Sequence, residues 1–93
     1  MMLLLRADGT EEYLEKEPTL GEIQAMLGAS SLDVVSLSNL QAGPHTLYVD
    51  DLGYSKGLPP NKIATALYHT QCKPGTTWEI LGDVVLLEVR DDQ

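Results

Sequence analysis

The chain has 93 residues, of which 43% are hydrophobic, and it contains no Phe and one Trp. This length and composition predict a single domain (1–93) with one aliphatic core. Fourteen Asp and Glu against six Lys and Arg give a net charge of −8. That charge argues against direct binding to a nucleic-acid backbone or to an anionic membrane, whereas it permits a basic partner and favours solubility.

The N-terminal part of the chain predicts a strand hairpin followed by a helix. Asp8-Gly9 is typical of a tight turn between strands at 1–6 and 11–15, the second of which is acidic and solvent-facing. Thr19 and Glu22 have the spacing of a capping box, which predicts a helix start. Gly28 predicts its left-handed C-cap.

The remainder predicts strands around a second helix. Pro59-Pro60 blocks a helix upstream, and Asn61 is a good N-cap for a helix over 62–70. The apolar run at 84–87 predicts a central strand covered on both faces. The other predicted strands are 32–37, 45–50, a short return strand at 54–56, and 78–81.

These elements indicate an α+β fold in the order β-β-α-β-β-(β)-α-β-β. We expect a mixed sheet of about five to seven strands, with two short helices packed on one face. An exposed edge strand and the apolar run near the C-terminus are also compatible with pairing across a two-fold axis into a homodimer.

The charge is unevenly distributed, and this points to a candidate binding site. Between Asp51 and Glu79 there is no carboxylate, while the same window holds three lysines. The predicted contact residues on this loop and at the start of the second helix are Tyr54, Lys56, Asn61 and Lys62. Reversing the charge of Lys56 and Lys62 together is predicted to abolish binding without unfolding the chain.

Other side chains provide little basis for chemistry, so we predict no catalytic residue, no metal site and no cofactor. His69 and Cys72 could hold two metal ligands at a helix end, but a zinc site needs three or four. Cys72 could also act as a nucleophile, with His69 or His45 as its base. Adjacent acids such as Asp50-Asp51 are expected to be solvated, since catalytic carboxyls need two different environments.

Three segments carry a resemblance to a known family. Leu58-Pro59-Pro60-Asn61, then Ala64–Tyr68 with the sequence ATALY, then Ile80–Leu86 with the sequence ILGDVVL resemble small proteins encoded by phages, plasmids and bacteria and known as a domain of unknown function. The likeness covers mainly the C-terminal half. It implies an origin in a phage or mobile element and, by analogy, binding to a host enzyme; it implies no activity or cofactor.

Two functions remain open. The first is a non-enzymatic domain that binds and modulates a host or phage protein, with mimicry of DNA charge as a subtype. The alternative is a protein that binds or sequesters a nucleotide-like anion at Asn61-Lys62, near Lys56. The single Cys72 fits a reducing compartment, which indicates the cytoplasm, and the apolar start of the chain is too short for a signal peptide or a membrane span.

Overall fold

The computed structural model describes residues 2–38 and 43–89 and shows the predicted α+β fold. Five strands form one antiparallel sheet, and three short helices flank it. The strands are β1 (Met2–Leu5), β2 (Glu11–Tyr13), β3 (Leu32–Leu37), β4 (His45–Asp50) and β5 (Val84–Glu88). The helices are α1 (Leu20–Leu27), α2 (Gly53–Lys56) and α3 (Lys62–His69).

The strand order is β2-β1-β5-β4-β3, and every neighbouring pair is antiparallel. The predicted mixed sheet is therefore wrong. β1 and β4 run in the same direction, but β5 is inserted between them and pairs antiparallel with both. Because β5 lies inside the sheet, the apolar run cannot form the edge-to-edge dimer contact considered from the sequence.

β5 is covered on both faces, as the run 84–87 predicted. Val84 and Leu86 pack with Leu3, Leu5 and Ala64 on the α3 side. On the opposite face, Leu4, Val85 and Leu87 pack around Ile23 of α1. The helices thus lie on opposite faces, which corrects the expectation of a single covered face. Both faces of β1 and β5 are apolar, so each needs a helix against it.

The local signals for α1 are confirmed. The Thr19 Oγ1 accepts from the Glu22 N–H at 3.1 Å, and Glu22 Oε1 accepts from the Thr19 N–H at 2.8 Å. Gly28 ends the helix at φ 63°, in the left-handed region. These contacts join residues three positions apart, so they depend little on the rest of the fold.

Two predicted strands are wrong. Residues 54–56 belong to the helical turn α2, which ends at Gly57 in the left-handed conformation. Residues 78–81 form an extended segment outside the sheet, with one isolated bridge between Pro60 and Leu81. Part of its backbone is hydrogen-bonded to side chains of α3, so this segment is held without a ladder of its own.

Among residues 2–38 and 43–89, no helix combines the length and apolar character needed to cross a bilayer.

Gly82, at the turn before β5, provides a test of close packing. Its φ is +78°, and a Cβ there would lie 2.7 Å from Leu58 Cδ1. We expect Gly82→Ala to lower the free energy of unfolding by about 2–3 kcal/mol, because backbone strain of about 1–2 kcal/mol adds to displacement of Leu58. Chemical denaturation followed by circular dichroism measures this loss.

Gly57→Ala is the matched control for Gly82→Ala. Gly57 has φ +66° but open space around its Cα, so its substitution carries the strain without the clash. Equal losses of stability for the two variants would mean that Leu58 moves aside at no cost.

Candidate functional site

Asn61, predicted as a contact residue, is completely buried. Its Nδ2 donates to the carbonyls of Leu5 and Gly82, both at 2.9 Å, and its Oδ1 accepts from the Ala64 N–H at 3.0 Å. The prediction that Asn61 caps the second helix is confirmed. Its proposed role as a surface contact is wrong, because the amide is occupied in joining β1, the Gly82 turn and α3.

Lys56 is also engaged within the protein. Its Nζ donates to Asp50 Oδ2 at 2.6 Å and to the Gly28 carbonyl at 2.9 Å. The Asp50 side chain is 1% exposed and the Lys56 side chain 36% exposed, so Asp50 is not the solvated acid expected from its place beside Asp51. Lys56 therefore serves mainly to neutralise a buried carboxylate.

The ionisation of Asp50 follows from these contacts. Burial opposes its charged form, but hydrogen bonds from Lys56 and the Leu52 N–H, together with the charge of Lys56, outweigh burial. They hold the pKa of Asp50 below its ordinary value of 3.8.

The other two predicted contact residues are exposed, but they do not line the same concavity. Lys62 is exposed on the first turn of α3. Tyr54 is 84% exposed and borders two adjoining concavities, neither of which Lys62 lines. Of the three residues predicted to form an anion site, Lys62 remains exposed. Asn61 and Lys56 instead bind groups within the protein.

The concavities beside Tyr54 form the best candidate site. Four residues line both of them: Tyr54, Trp78, Glu79 and Leu81. We call this surface the Tyr54–Trp78 groove. Its smaller concavity has a volume of about 130 Å³ and reaches the first half of β3 and the end of β4, while the larger, about 540 Å³, follows residues 75–77.

The fold holds both aromatic residues in place through their neighbours. A Cβ on Gly53 would lie 3.5 Å from Leu81 Cβ, so α2 packs closely on the segment that carries Trp78. That segment is tied to α3 by His69 Nε2, which donates to the Trp78 carbonyl at 2.7 Å, and by Thr65 Oγ1, which accepts from the Ile80 N–H at 2.9 Å. Tyr54 and Trp78 thus project from supported backbone.

The groove is acidic. Asp33, Asp51 and Glu79 line it, and no Lys, Arg or His is found among its described lining residues. Asp50 also borders the smaller concavity, but Lys56 neutralises it. Within residues 2–38 and 43–89, no ion pair reaches the other three carboxylates. The groove therefore presents negative charge beside two aromatic rings.

Sequence reasoning missed Trp78 because it placed this residue in a strand. Trp78 is 64% exposed, although it is the only Trp in the chain. The preceding sequence Lys73-Pro74-Gly75-Thr76-Thr77 lacks aliphatic residues, and a large aromatic after such a loop was the available signal.

The His and Cys residues considered for chemistry make local contacts of their own. No group of three or more His, Cys, Asp or Glu that could hold a metal occurs in the part of the chain that the structure describes. Cys72 Sγ is 3.3 Å from the Tyr68 carbonyl, one turn back along α3. His45 is buried at the start of β4, where Nδ1 donates to the Gly43 carbonyl at 2.8 Å.

No family model, curated protein or solved structure matches the chain. The resemblance to small phage and plasmid proteins stays a prediction.

Proposed function

We propose that this protein is a non-catalytic binding domain that docks a partner protein in the Tyr54–Trp78 groove. The observation that carries this proposal is the convergence of two largely exposed aromatic residues on one concavity. Trp and Tyr are enriched among residues that dominate protein interfaces, where they supply large contact areas with few rotatable bonds. An exposed aromatic pair in a chain with only five aromatic residues marks a surface that gains from being covered.

The lining groups suit recognition. Rings, threonine hydroxyls and carboxylates offer contact area and hydrogen-bond partners around a concave centre. Tyr54, one of the contact residues expected from the sequence, lines both concavities. Lys62 remains a contact candidate outside the groove.

The setting of this function is also proposed. The single Cys72 suits a reducing compartment, which favours the cytoplasm. The resemblance to phage and plasmid proteins favours a host or phage protein as partner, with modulation of that partner as the outcome; this step is an analogy.

The test compares affinity capture by the wild type, Trp78→Ala and Tyr13→Ala. Tyr13 is 76% exposed on β2 and lies outside the groove, so it is a matched loss of an exposed aromatic ring. We expect a stoichiometric protein with the wild type and Tyr13→Ala, and an affinity at least about 30-fold weaker with Trp78→Ala.

Folding of both variants is checked by denaturation, because substitution of exposed residues should change stability by only about 0.5 kcal/mol. Equal capture by Trp78→Ala and the wild type would show that the partner does not use this groove.

A further inference from the structure

This inference rests on the proposed function and concerns the partner's chemistry. We propose that the partner inserts an arginine side chain, carried on an extended basic segment, into the Tyr54–Trp78 groove.

The groove combines the two features that recognise a cation. The face of an aromatic ring attracts a positive charge, and Trp is the strongest such ring. Trp78 and Tyr54 provide two rings at the same concavity as Asp33, Asp51 and Glu79. A cation placed there faces ring and carboxylate together, whereas an anion would face three like charges.

Within residues 2–38 and 43–89, no ion pair neutralises these carboxylates. Asp51 Oδ2 accepts from Ser31 Oγ at 3.4 Å, and Asp33 Oδ1 accepts from the Val34 N–H at 2.9 Å. Both donors are neutral groups, so neither hydrogen bond supplies a positive charge. Asp50 next to them shows the contrast, since Lys56 already occupies it. The chain's net charge of −8 further attracts a basic partner.

Shape and bonding favour arginine over lysine. A guanidinium is planar, stacks on an aromatic face and donates to carboxylates around its edge, which an ammonium cannot do in the same way. The smaller concavity, at about 130 Å³, suits one side chain, and the larger, at about 540 Å³ along residues 75–77, has room for the neighbouring residues of the segment.

Trp78 is itself the reporter for the test, because it is the only Trp in the chain. Its fluorescence is titrated with Gly/Ser peptides that differ at one central residue, namely arginine, lysine or citrulline. Citrulline keeps the planar shape of arginine without its charge. We expect the arginine peptide to bind about 10-fold more tightly than the citrulline peptide and more tightly than the lysine peptide. Its affinity should fall as NaCl is raised from about 50 to 500 mM.

Two double variants of equal charge change test the carboxylates. Asp51→Asn with Glu79→Gln should weaken the arginine peptide about 3- to 10-fold and leave the citrulline peptide unchanged. Glu11→Gln with Glu15→Gln, outside the groove, should weaken it by less than about 2-fold.

Several outcomes overturn the inference. These are equal affinity for arginine and citrulline, no binding of the arginine peptide up to about 10 mM, equal weakening by both double variants, or methylguanidinium binding as tightly as the peptide. The proposed function is judged separately by capture with Trp78→Ala. A captured partner lost in that variant, together with any of the first three outcomes, would retain the groove as a docking site and remove arginine as its occupant. Together with the fourth outcome, it would retain guanidinium recognition and remove the extended segment.

Discussion

Asn61→Ala is expected to lower the free energy of unfolding by about 3–5 kcal/mol. The substitution removes the N-cap of α3, worth about 1 kcal/mol, and leaves the Leu5 and Gly82 carbonyls without the amide that now donates to them. A buried polar group that loses its partner costs about 1–3 kcal/mol. Since a chain of this size is stabilised by roughly 5–14 kcal/mol, the loss takes a large share of the total.

Asn61→Ser separates the two roles of this side chain. Serine is also a good N-cap, so the variant keeps the bond to the Ala64 N–H but loses both donors of Nδ2. Denaturation of the three proteins should rank wild type above Asn61→Ser and Asn61→Ser above Asn61→Ala. A serine variant as stable as the wild type would mean that the carbonyls of Leu5 and Gly82 find other partners.

Lys56→Met is expected to destabilise the protein by about 2–4 kcal/mol at neutral pH. It leaves the Asp50 carboxylate, 1% exposed, without its cation. Removing one partner of a fully buried pair costs about 3–5 kcal/mol, and the partial exposure of Lys56 lowers that figure. Lys62→Met is the matched control, and its effect should stay within about 0.5 kcal/mol.

The effect of Lys56→Met should depend on pH. In the wild type the pKa of Asp50 lies below 3.8, so its stabilising contribution is present above that value and is lost as pH falls through the native pKa. Without Lys56, burial favours the protonated form of Asp50. Protonation at low pH then removes the cost of the buried charge in the variant. The difference in unfolding free energy should therefore shrink from neutral pH to about pH 3. A difference that is constant with pH would contradict this role for Lys56.

These contacts change how the surface around α3 is tested. The sequence predicted that reversing both Lys56 and Lys62 would abolish binding without unfolding. Lys56→Glu would set a second carboxylate against buried Asp50, so we now expect it to unfold or weaken the protein. Lys62→Glu alone is the suitable charge reversal at the start of α3.

Much of the fold was predictable where neighbouring residues decide the structure. The capping box of Thr19 and Glu22, the left-handed Gly28 and the N-cap role of Asn61 each involve groups within four residues. The apolar run of β5 likewise indicated its central position, because a strand buried on both faces has no polar alternation.

The candidate site was only partly predictable. Tyr54 was among the expected contact residues, whereas Trp78 was assigned to a strand and Asn61 and Lys56 to the surface. Nothing near Asn61 in the chain shows that its amide meets Leu5, 56 positions away. The partner of Lys56 is Asp50, which the sequence placed among the solvated acids.

The sequence by itself therefore determined both ends of α1, the start of α3, the strand character of the apolar run in β5 and the acidity of the chain, since these follow from local bonding and composition. Only the tertiary structure decided that β5 lies between β1 and β4, that Lys56 neutralises Asp50, and that Tyr54 and Trp78 meet at one groove. Each of these depends on contacts between segments that are distant in the chain. Such contacts form only when the helices and loops pack on the two faces of the sheet.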